Sequence, residues 1–196
     1  MQNINFQLGL PEWAVQKLAG ISSPYASVEE RMQLILDFAE DNSAHNTGGP
    51  FAAGVFEQET GKLIAIGVNR VVPLHCSSAH AEVMALSLAQ QTLGTYDLGG
   101  KGMAVHQLVV NWRPCTMCFG AVLWSGIRSL VIAGADKELE RITGFDEGPL
   151  TPGWREELRA RGITVQENVL YHKAVEQFKR FAASGRLVYN SRQGTD

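Results

Sequence analysis

Residues 80–82 read His80-Ala81-Glu82, and residues 114–118 read Pro114-Cys115-Thr116-Met117-Cys118. One imidazole and two thiolates supply three ligands to a zinc ion and leave its fourth tetrahedral position for water. A glutamate two residues after the histidine is well placed to take a proton from that water. The two motifs therefore predict a catalytic Zn²⁺ site, with His80, Cys115 and Cys118 as metal ligands and Glu82 as the proton shuttle.

A structural zinc site is the alternative explanation of the same motifs. Structural sites normally have four protein ligands, whereas catalytic sites have three. His75 and Cys76 lie close before His80, but both fall outside the histidine–glutamate pattern. A non-catalytic zinc-binding module therefore stays open as a second interpretation, and an open catalytic site is favoured.

Composition describes an ordinary globular chain. Its 196 residues are 45% hydrophobic and 19% charged, which suits one domain over 1–196 with a core of its own. The first residues lack a basic region followed by an apolar run, and no stretch approaches the roughly 18–20 apolar residues of a membrane span. Three cysteines, two of them in a C-x-x-C pair, indicate metal chemistry in a reducing compartment. We therefore expect a cytoplasmic protein without a membrane segment.

Charge is distributed unevenly along the chain. The net charge is −3, with an acidic excess in residues 1–60 and a basic excess in residues 154–192. The basic segment permits an RNA-facing surface. Solvated helix faces or complementary surfaces in an oligomer are the favoured explanation, and the overall negative charge argues against a nucleic-acid partner.

Hydrophobic periodicity and turn signals predict alternating helices and strands. Ser27 and Glu30 form the pattern of a capping box at the start of the second helix. The apolar runs at 108–110 and 130–132 are typical of strands buried on both faces. Helices are predicted over 11–19, 27–43, 79–92, 114–125, 137–141, 154–160 and 171–183, strands over 51–58, 63–72, 107–111, 130–133 and 163–166, and a frayed tail over 190–196. This order predicts an α/β fold, a three-layer α/β/α sandwich around a five-stranded mixed sheet.

Further residues extend the pattern of the two motifs. They are Gly49-Pro50-Phe51-Ala52-Ala53, Asn69, Gly120-Ala121, Trp124 and Gly144-Phe145-Asp146-Glu147. Together with the motifs, they cover about residues 48–147. Over this region the chain resembles the cytidine-deaminase-like superfamily of zinc deaminases, and within it the guanine deaminases.

The resemblance implies a role for each matched position. Phe51 would stack on a purine, Asn69 would hydrogen-bond its edge, and Trp124 would form a wall of the pocket. Ala81 would contact the substrate. Glu147 would contact the N–H edge of guanine and assist proton transfer, as a second catalytic carboxylate.

The resemblance also implies an assembly and a reaction. Residues 168–196 would be exchanged between the subunits of a homodimer, with Tyr189 as the residue that closes the site. Residues 1–46 have no counterpart in the resemblance, and their own pattern predicts an N-terminal helical extension. The expected reaction is hydrolysis of guanine, a small-molecule nucleobase, to xanthine and ammonia. Deamination of adenosine in tRNA, or of an aminotriazine or pterin, uses the same chemistry and stays open.

Overall fold

The computed structural model describes residues 5, 7–22 and 24–193. Parts of the predicted N-terminal extension and the last three residues of the predicted tail lie outside the described residues. The helices are α1 Glu12–Ala19, α2 Val28–Ala44, α3 Ala81–Leu93, α4 Thr116–Ser125, α5 Glu138–Thr143, α6 Trp154–Ala160 and α7 Tyr171–Ala183. The strands are β1 Ala52–Glu57, β2 Leu63–Val68, β3 His106–Val110, β4 Ser129–Ile132 and β5 Thr164–Gln166.

The five strands form one mixed sheet in the order β2-β1-β3-β4-β5. β1 pairs antiparallel with both β2 and β3, and β4 pairs parallel with both β3 and β5. The parallel half requires helical crossovers, which α4 and α6 supply. The predicted fold class is confirmed.

Alternating residues of the central strands fill two separate cores. Val109 and Val131 belong to the core under α2 and α7. Leu108 and Leu130 belong to the opposite core, under α3 and α4. Because consecutive side chains of a strand point to opposite faces, the apolar runs of β3 and β4 serve both helical layers.

The helix α2 is part of the sandwich, although its sequence falls within the predicted N-terminal extension. Ser27 and Glu30 form the predicted capping box at its start. On its inner side, the Gln177 side chain of α7 donates a 2.8 Å hydrogen bond to the carbonyl of Leu36. In this structure α7 therefore packs on the α2 of its own chain.

Three predicted element boundaries at the site are wrong by a few residues. The second strand ends at Val68 and not at 72, because the Asn69 side chain accepts the backbone N–H of Val71 and turns the chain. The metal-ligand helices begin at Ala81 and Thr116, later than predicted, so that His80 and Cys115 are their N-cap residues. Within the described residues, no helix is long and apolar enough to cross a membrane.

Candidate active site

The predicted metal ligands form one compact cluster between two helix starts. His80 caps α3, Cys115 caps α4, and Cys118 lies in the first turn of α4. Their ligand atoms all lie within 4.8 Å of one another, and His80 Nδ1 is 3.6 Å from Cys115 Sγ. Bond lengths of about 2.0–2.3 Å in a tetrahedral zinc site place neighbouring ligand atoms about 3.5–3.8 Å apart. The cluster therefore fits a zinc ion.

The three ligands also share protons. Burial disfavours the imidazolium, but the hydrogen bond to Cys115 and the charges of Glu82, Cys115 and Glu147 outweigh it and raise the pKa of His80 to about 9. The hydrogen bond from Cys118, helped by His80 and opposed by burial, lowers the pKa of Cys115 to about 4. The bond to Cys115 and burial raise the pKa of Cys118. Before a metal binds, these shifts favour an imidazolium, a thiolate and a thiol at neutral pH.

Two carboxyl groups beside the cluster have raised pKa values. Burial and the Cys115 charge raise the pKa of Glu82 to about 7, against the effect of His80. Burial and the charges of Cys115 and Glu82 raise the pKa of Glu147 to about 8, against the effects of His80 and Arg113. A general acid–base group works best when its pKa lies near the working pH. Both carboxyl groups are therefore suited to proton transfer at neutral pH.

A cavity of about 270 Å³ opens next to the cluster. Most residues that the sequence analysis assigned to the substrate line it together with the metal ligand His80. They are Phe51, Asn69, Ala81, Glu82, Glu147 and Tyr189. Phe51 forms an edge-to-face contact with Phe145, at 5.1 Å between ring centroids, and so keeps its ring at the cavity.

The amide of Asn69 has a fixed orientation. Its Oδ1 accepts the backbone N–H groups of Gly49 (3.4 Å) and Val71 (3.3 Å). Within the described part of the chain, the Nδ2 group has no hydrogen-bond partner. Buried Asn42 donates from its own Nδ2 to the carbonyls of Gly49 and Asn69, both at 2.9 Å, and so joins the two loops. Asn69 thus offers an N–H donor to a bound molecule.

Trp124 does not line this cavity, and the expectation that it forms a wall of its own chain's pocket is wrong. Its side chain is 88% exposed on the outer face of α4. The tryptophan that lines the cavity is Trp112, which packs edge-to-face on Phe178. Trp124 follows the ligand Cys118 by six residues on α4, which turns its side chain about 120° around the helix axis from that of Cys118.

The C-terminal segment reaches the cavity of its own chain. Leu187, Tyr189, Asn190 and Ser191 line it without a partner chain. Tyr189 therefore reaches the site of its own chain, without the exchange between subunits that the resemblance implied. The prediction of a frayed tail from residue 190 is wrong for Asn190, because its side chain hydrogen-bonds to the loop of Glu147.

Trp112, Arg113 and Asn190 are among the lining residues that the sequence analysis missed as site residues. Buried Arg113 forms an ion pair with half-buried Glu140, and its charge acts on Glu147. Trp112 and Arg113 directly precede the proline of the second motif, so their position alone was a usable signal. Asn190 carried no comparable signal, because its partners lie more than 40 residues earlier in the sequence.

The metal cluster, the two carboxyl groups beside it and the mixed sheet together define a zinc-dependent hydrolytic deaminase. The family described as "Cytidine and deoxycytidylate deaminase zinc-binding region" matches residues 26–134. The chain belongs to this family of zinc-binding deaminases. The predicted enzyme class and the Zn²⁺ cofactor are confirmed.

Solved and curated relatives narrow the resemblance. The solved guanine deaminase of Nitrosomonas europaea is 46% identical, with a TM-score of 0.88 over 93% of this chain and 99% of that one. The curated guanine deaminase of Bacillus subtilis is 34% identical over 51% of this chain and 59% of its own length. A tRNA-specific adenosine deaminase of Buchnera aphidicola is 35% identical over 53% of this chain and 62% of its own length. This chain thus spans about three fifths of the two curated relatives, and its predicted resemblance to guanine deaminases is confirmed.

Proposed function

We propose that the protein hydrolyses guanine to xanthine and ammonia. The observation that carries the proposal is that the carboxyl group of Glu147 lines the cavity beside the metal cluster. Guanine presents its N1–H and its N2 amino group side by side, two donors that suit one carboxylate. Adenine and cytosine have an acceptor nitrogen next to their amino group, and a carboxylate repels it.

Two further contacts support a purine. The Nδ2 group of Asn69 is a donor for the acceptor atoms of the guanine ring, since its Oδ1 is already occupied by backbone N–H groups. Phe51 supplies an aromatic surface at the cavity. Stacking on an aromatic side chain contributes about 1–3 kcal/mol per base.

The size of the cavity favours a free base over a nucleotide within tRNA. Ligand pockets typically measure about 300–1,000 Å³, and this one has about 270 Å³. Several basic residues of the C-terminal region also have acidic partners in their own chain. The pairs are Arg155 with Glu167, Arg161 with Glu157, Lys179 with Glu176 and Arg180 with Glu40. Such paired charges favour solvated helix faces over a phosphate-binding surface.

The reaction requires two proton transfers. Zinc, when held by His80, Cys115 and Cys118, supplies an acidified water molecule as the nucleophile. Glu82, with a pKa of about 7, accepts a proton as the water oxygen bonds to C2 of guanine, and gives a proton to the departing amino group. Glu147, with a pKa of about 8, binds the N1–H edge and assists transfer of the second water proton to the ring nitrogen N3, which is protonated in xanthine. Ammonia then leaves and xanthine remains.

The test is an ammonia-release screen over guanine, adenine, cytosine, cytidine, adenosine, an aminotriazine, a pterin and a tRNA anticodon stem. We expect release from guanine. Glu147→Gln should lower kcat/KM on guanine about 10- to 150-fold, because a hydrogen bond to a charged group contributes roughly 1.5–3 kcal/mol. Asp37→Asn, an exposed carboxylate on α2, is the matched control. Preferred release from the tRNA stem, with steep salt dependence, would instead support the adenosine deaminase alternative.

We propose that a second copy of this chain covers the outer face of α4. Met117, Gly120, Ala121 and Trp124 lie at helical spacing on that face, and Trp124 is exposed. In a two-fold dimer the same patch faces itself. The small residues of one copy then leave room for the tryptophan of the other. Because Met117 also lines the cavity, such an interface continues to the edge of the site.

Analytical ultracentrifugation tests the dimer. Wild type should sediment as a dimer, and Trp124→Glu should shift it towards monomer. Val15→Glu, an exposed apolar residue of α1, is the matched control and should stay dimeric. A monomeric wild type at micromolar concentration would refute the interface.

Exchange of residues 168–196 between subunits stays a prediction, and the proposed interface does not depend on it.

We also propose that the chain forms a single deaminase domain, since α2 and α7 pack in the same layer. A thiolate metal site is best preserved in a reducing compartment, which supports a cytoplasmic location.

A further inference from the structure

Asn190 connects the C-terminal segment to the loop that carries Glu147. Its Oδ1 accepts the backbone N–H of Asp146 at 2.7 Å, and its Nδ2 donates to the carbonyl of Gly144 at 2.9 Å. The partners lie 44 and 46 residues earlier in the sequence. One side-chain amide therefore satisfies both backbone groups that flank Phe145, as a neighbouring strand would.

The loop has its own hydrogen bonds at both ends but not in its middle. Thr143 Oγ1 accepts the backbone N–H of Phe145 at 3.2 Å, and Asp146 Oδ1 accepts that of Gly148 at 2.9 Å. Gly144 has a φ of 79°, a conformation that favours glycine. Asn190 supplies the bonds between these two turns. Without it, the backbone on the N-terminal side of Glu147 keeps only local turns, and the nearest long-range hydrogen bond lies beyond Glu147, from Thr116 Oγ1 to the Pro149 carbonyl.

The aromatic neighbours hold only one side of this loop. The Phe145 ring stacks on Phe181 at 5.6 Å and contacts Phe51 at 5.1 Å, so it is held on the core side. Ring packing restrains the position of Phe145 but leaves the rotation of the next peptide units open. The direction of the Glu147 side chain depends on those peptide units.

We propose that Asn190 is a positioning residue that fixes the direction of the Glu147 carboxyl group in the cavity. The role in catalysis rests on the proposed function, whereas the positioning itself does not. Docking of the C-terminal segment and alignment of the substrate-binding carboxyl group are then one event.

Hydrogen exchange tests the positioning without any substrate. Asn190→Ala should speed exchange of the Asp146 amide about tenfold, the factor that corresponds to the loss of one hydrogen bond of roughly 1.4 kcal/mol. Gln193→Ala is the matched control. It removes a 3.4 Å contact of Asn190 in the same segment and leaves both bonds to the loop. Unchanged exchange in Asn190→Ala, or equal acceleration in Gln193→Ala, would overturn the proposal.

A double-mutant cycle tests the catalytic consequence. Asn190→Ala should lower kcat/KM on guanine about 5- to 100-fold, because each of two neutral hydrogen bonds contributes a factor of roughly 2 to 10. Zinc content should stay unchanged. In a Glu147→Gln background the same substitution should cost less than about twofold, since residues that act as a unit are not additive. Equal losses in both backgrounds would show that Asn190 acts elsewhere.

The hydrogen-exchange and kinetic experiments distinguish failure of this proposal from failure of the proposed function. A wild-type protein inactive on guanine, with faster exchange only in Asn190→Ala, would refute the function and support the positioning role. Guanine turnover by the wild-type protein, with no effect of Asn190→Ala on hydrogen exchange or kinetics, would support the proposed function and refute the positioning role. Asn190→Asp keeps an acceptor for Asp146 but sets an oxygen against the Gly144 carbonyl, so it should resemble Asn190→Ala. Wild-type behaviour of Asn190→Asp would overturn the two-bond arrangement.

Discussion

Zinc binding should release a number of protons that follows from the protonation states of the three metal ligands. In the metal-free protein His80, with a pKa raised to about 9, carries a proton at pH 6, and so does Cys118, whose pKa is also raised. Cys115, with a pKa lowered to about 4, does not. Zinc binds neutral imidazole and thiolates. The ligands alone should therefore release about two protons per zinc ion.

The neighbouring carboxyl groups add to this number. The positive charge of the ion favours the carboxylates of Glu82 and Glu147, whose pKa values of about 7 and 8 keep them largely protonated at pH 6. The wild-type protein should thus release between about two and four protons. A Glu82→Gln, Glu147→Gln double variant should release about two, because a glutamine has no proton to lose.

Calorimetric titration of metal-free protein with zinc, in buffers of different ionisation enthalpy, measures the number. At pH 6 even a strongly acidified water molecule stays protonated and adds little. Between about pH 4 and 9, the logarithm of the apparent zinc affinity should rise by about 2 per pH unit from the ligands alone, and the slope should fall above pH 9 as His80 loses its proton. Release of one proton or none by the double variant would refute the assigned protonation of the cluster.

Three further substitutions give simple outcomes. Glu82→Gln should keep its zinc, by metal analysis, and lose about 10²- to 10⁴-fold in kcat; activity within tenfold of wild type would point to another shuttle. Phe51→Leu should raise KM for guanine about 5- to 150-fold through lost stacking, at unchanged zinc content, and an unchanged KM would remove Phe51 from the substrate contacts. A Cβ atom at position 48 would lie 1.8 Å from the Asn69 carbonyl oxygen. Thermal or denaturant unfolding should therefore show Gly48→Ala destabilised by about 1–3 kcal/mol, whereas Gly20→Ala, with only a 3.6 Å contact, serves as control; equal stability of the two variants would contradict the close approach.

Local patterns in the sequence predict most of the fold and the chemistry. The Ser27 capping box, the apolar runs of β3 and β4 and the two ligand motifs each express their structural role within a few residues of sequence. Helical spacing brings Cys115 and Cys118 together at the start of one helix. The predicted metal cluster needs only one further condition, that α3 and α4 lie on the same face of the sheet.

Long-range contacts explain the errors. The sequence around Trp124 is as apolar as a buried helix, so it does not indicate which side of α4 faces outward. The tail offers no periodicity, and the hydrogen bonds of Asn190 reach residues more than 40 positions away. Asn69 was assigned by resemblance, but the end of its strand was missed because a side-chain-to-backbone bond, not a glycine or proline, turns the chain there.

The distance in sequence between the N-cap residues His80 and Cys115 determines how much a bound ion stabilises the folded chain. An ion bound by both residues closes a loop of 35 residues that contains α3 and β3. A cross-link of that span reduces the entropy of the unfolded chain by an amount equivalent to about 4 kcal/mol at room temperature. Such a contribution is a large part of the roughly 5–15 kcal/mol that stabilises a typical domain. Chelation would therefore lower the free energy of unfolding as well as abolish turnover, so inactivation by metal removal and loss of thermal stability should occur together.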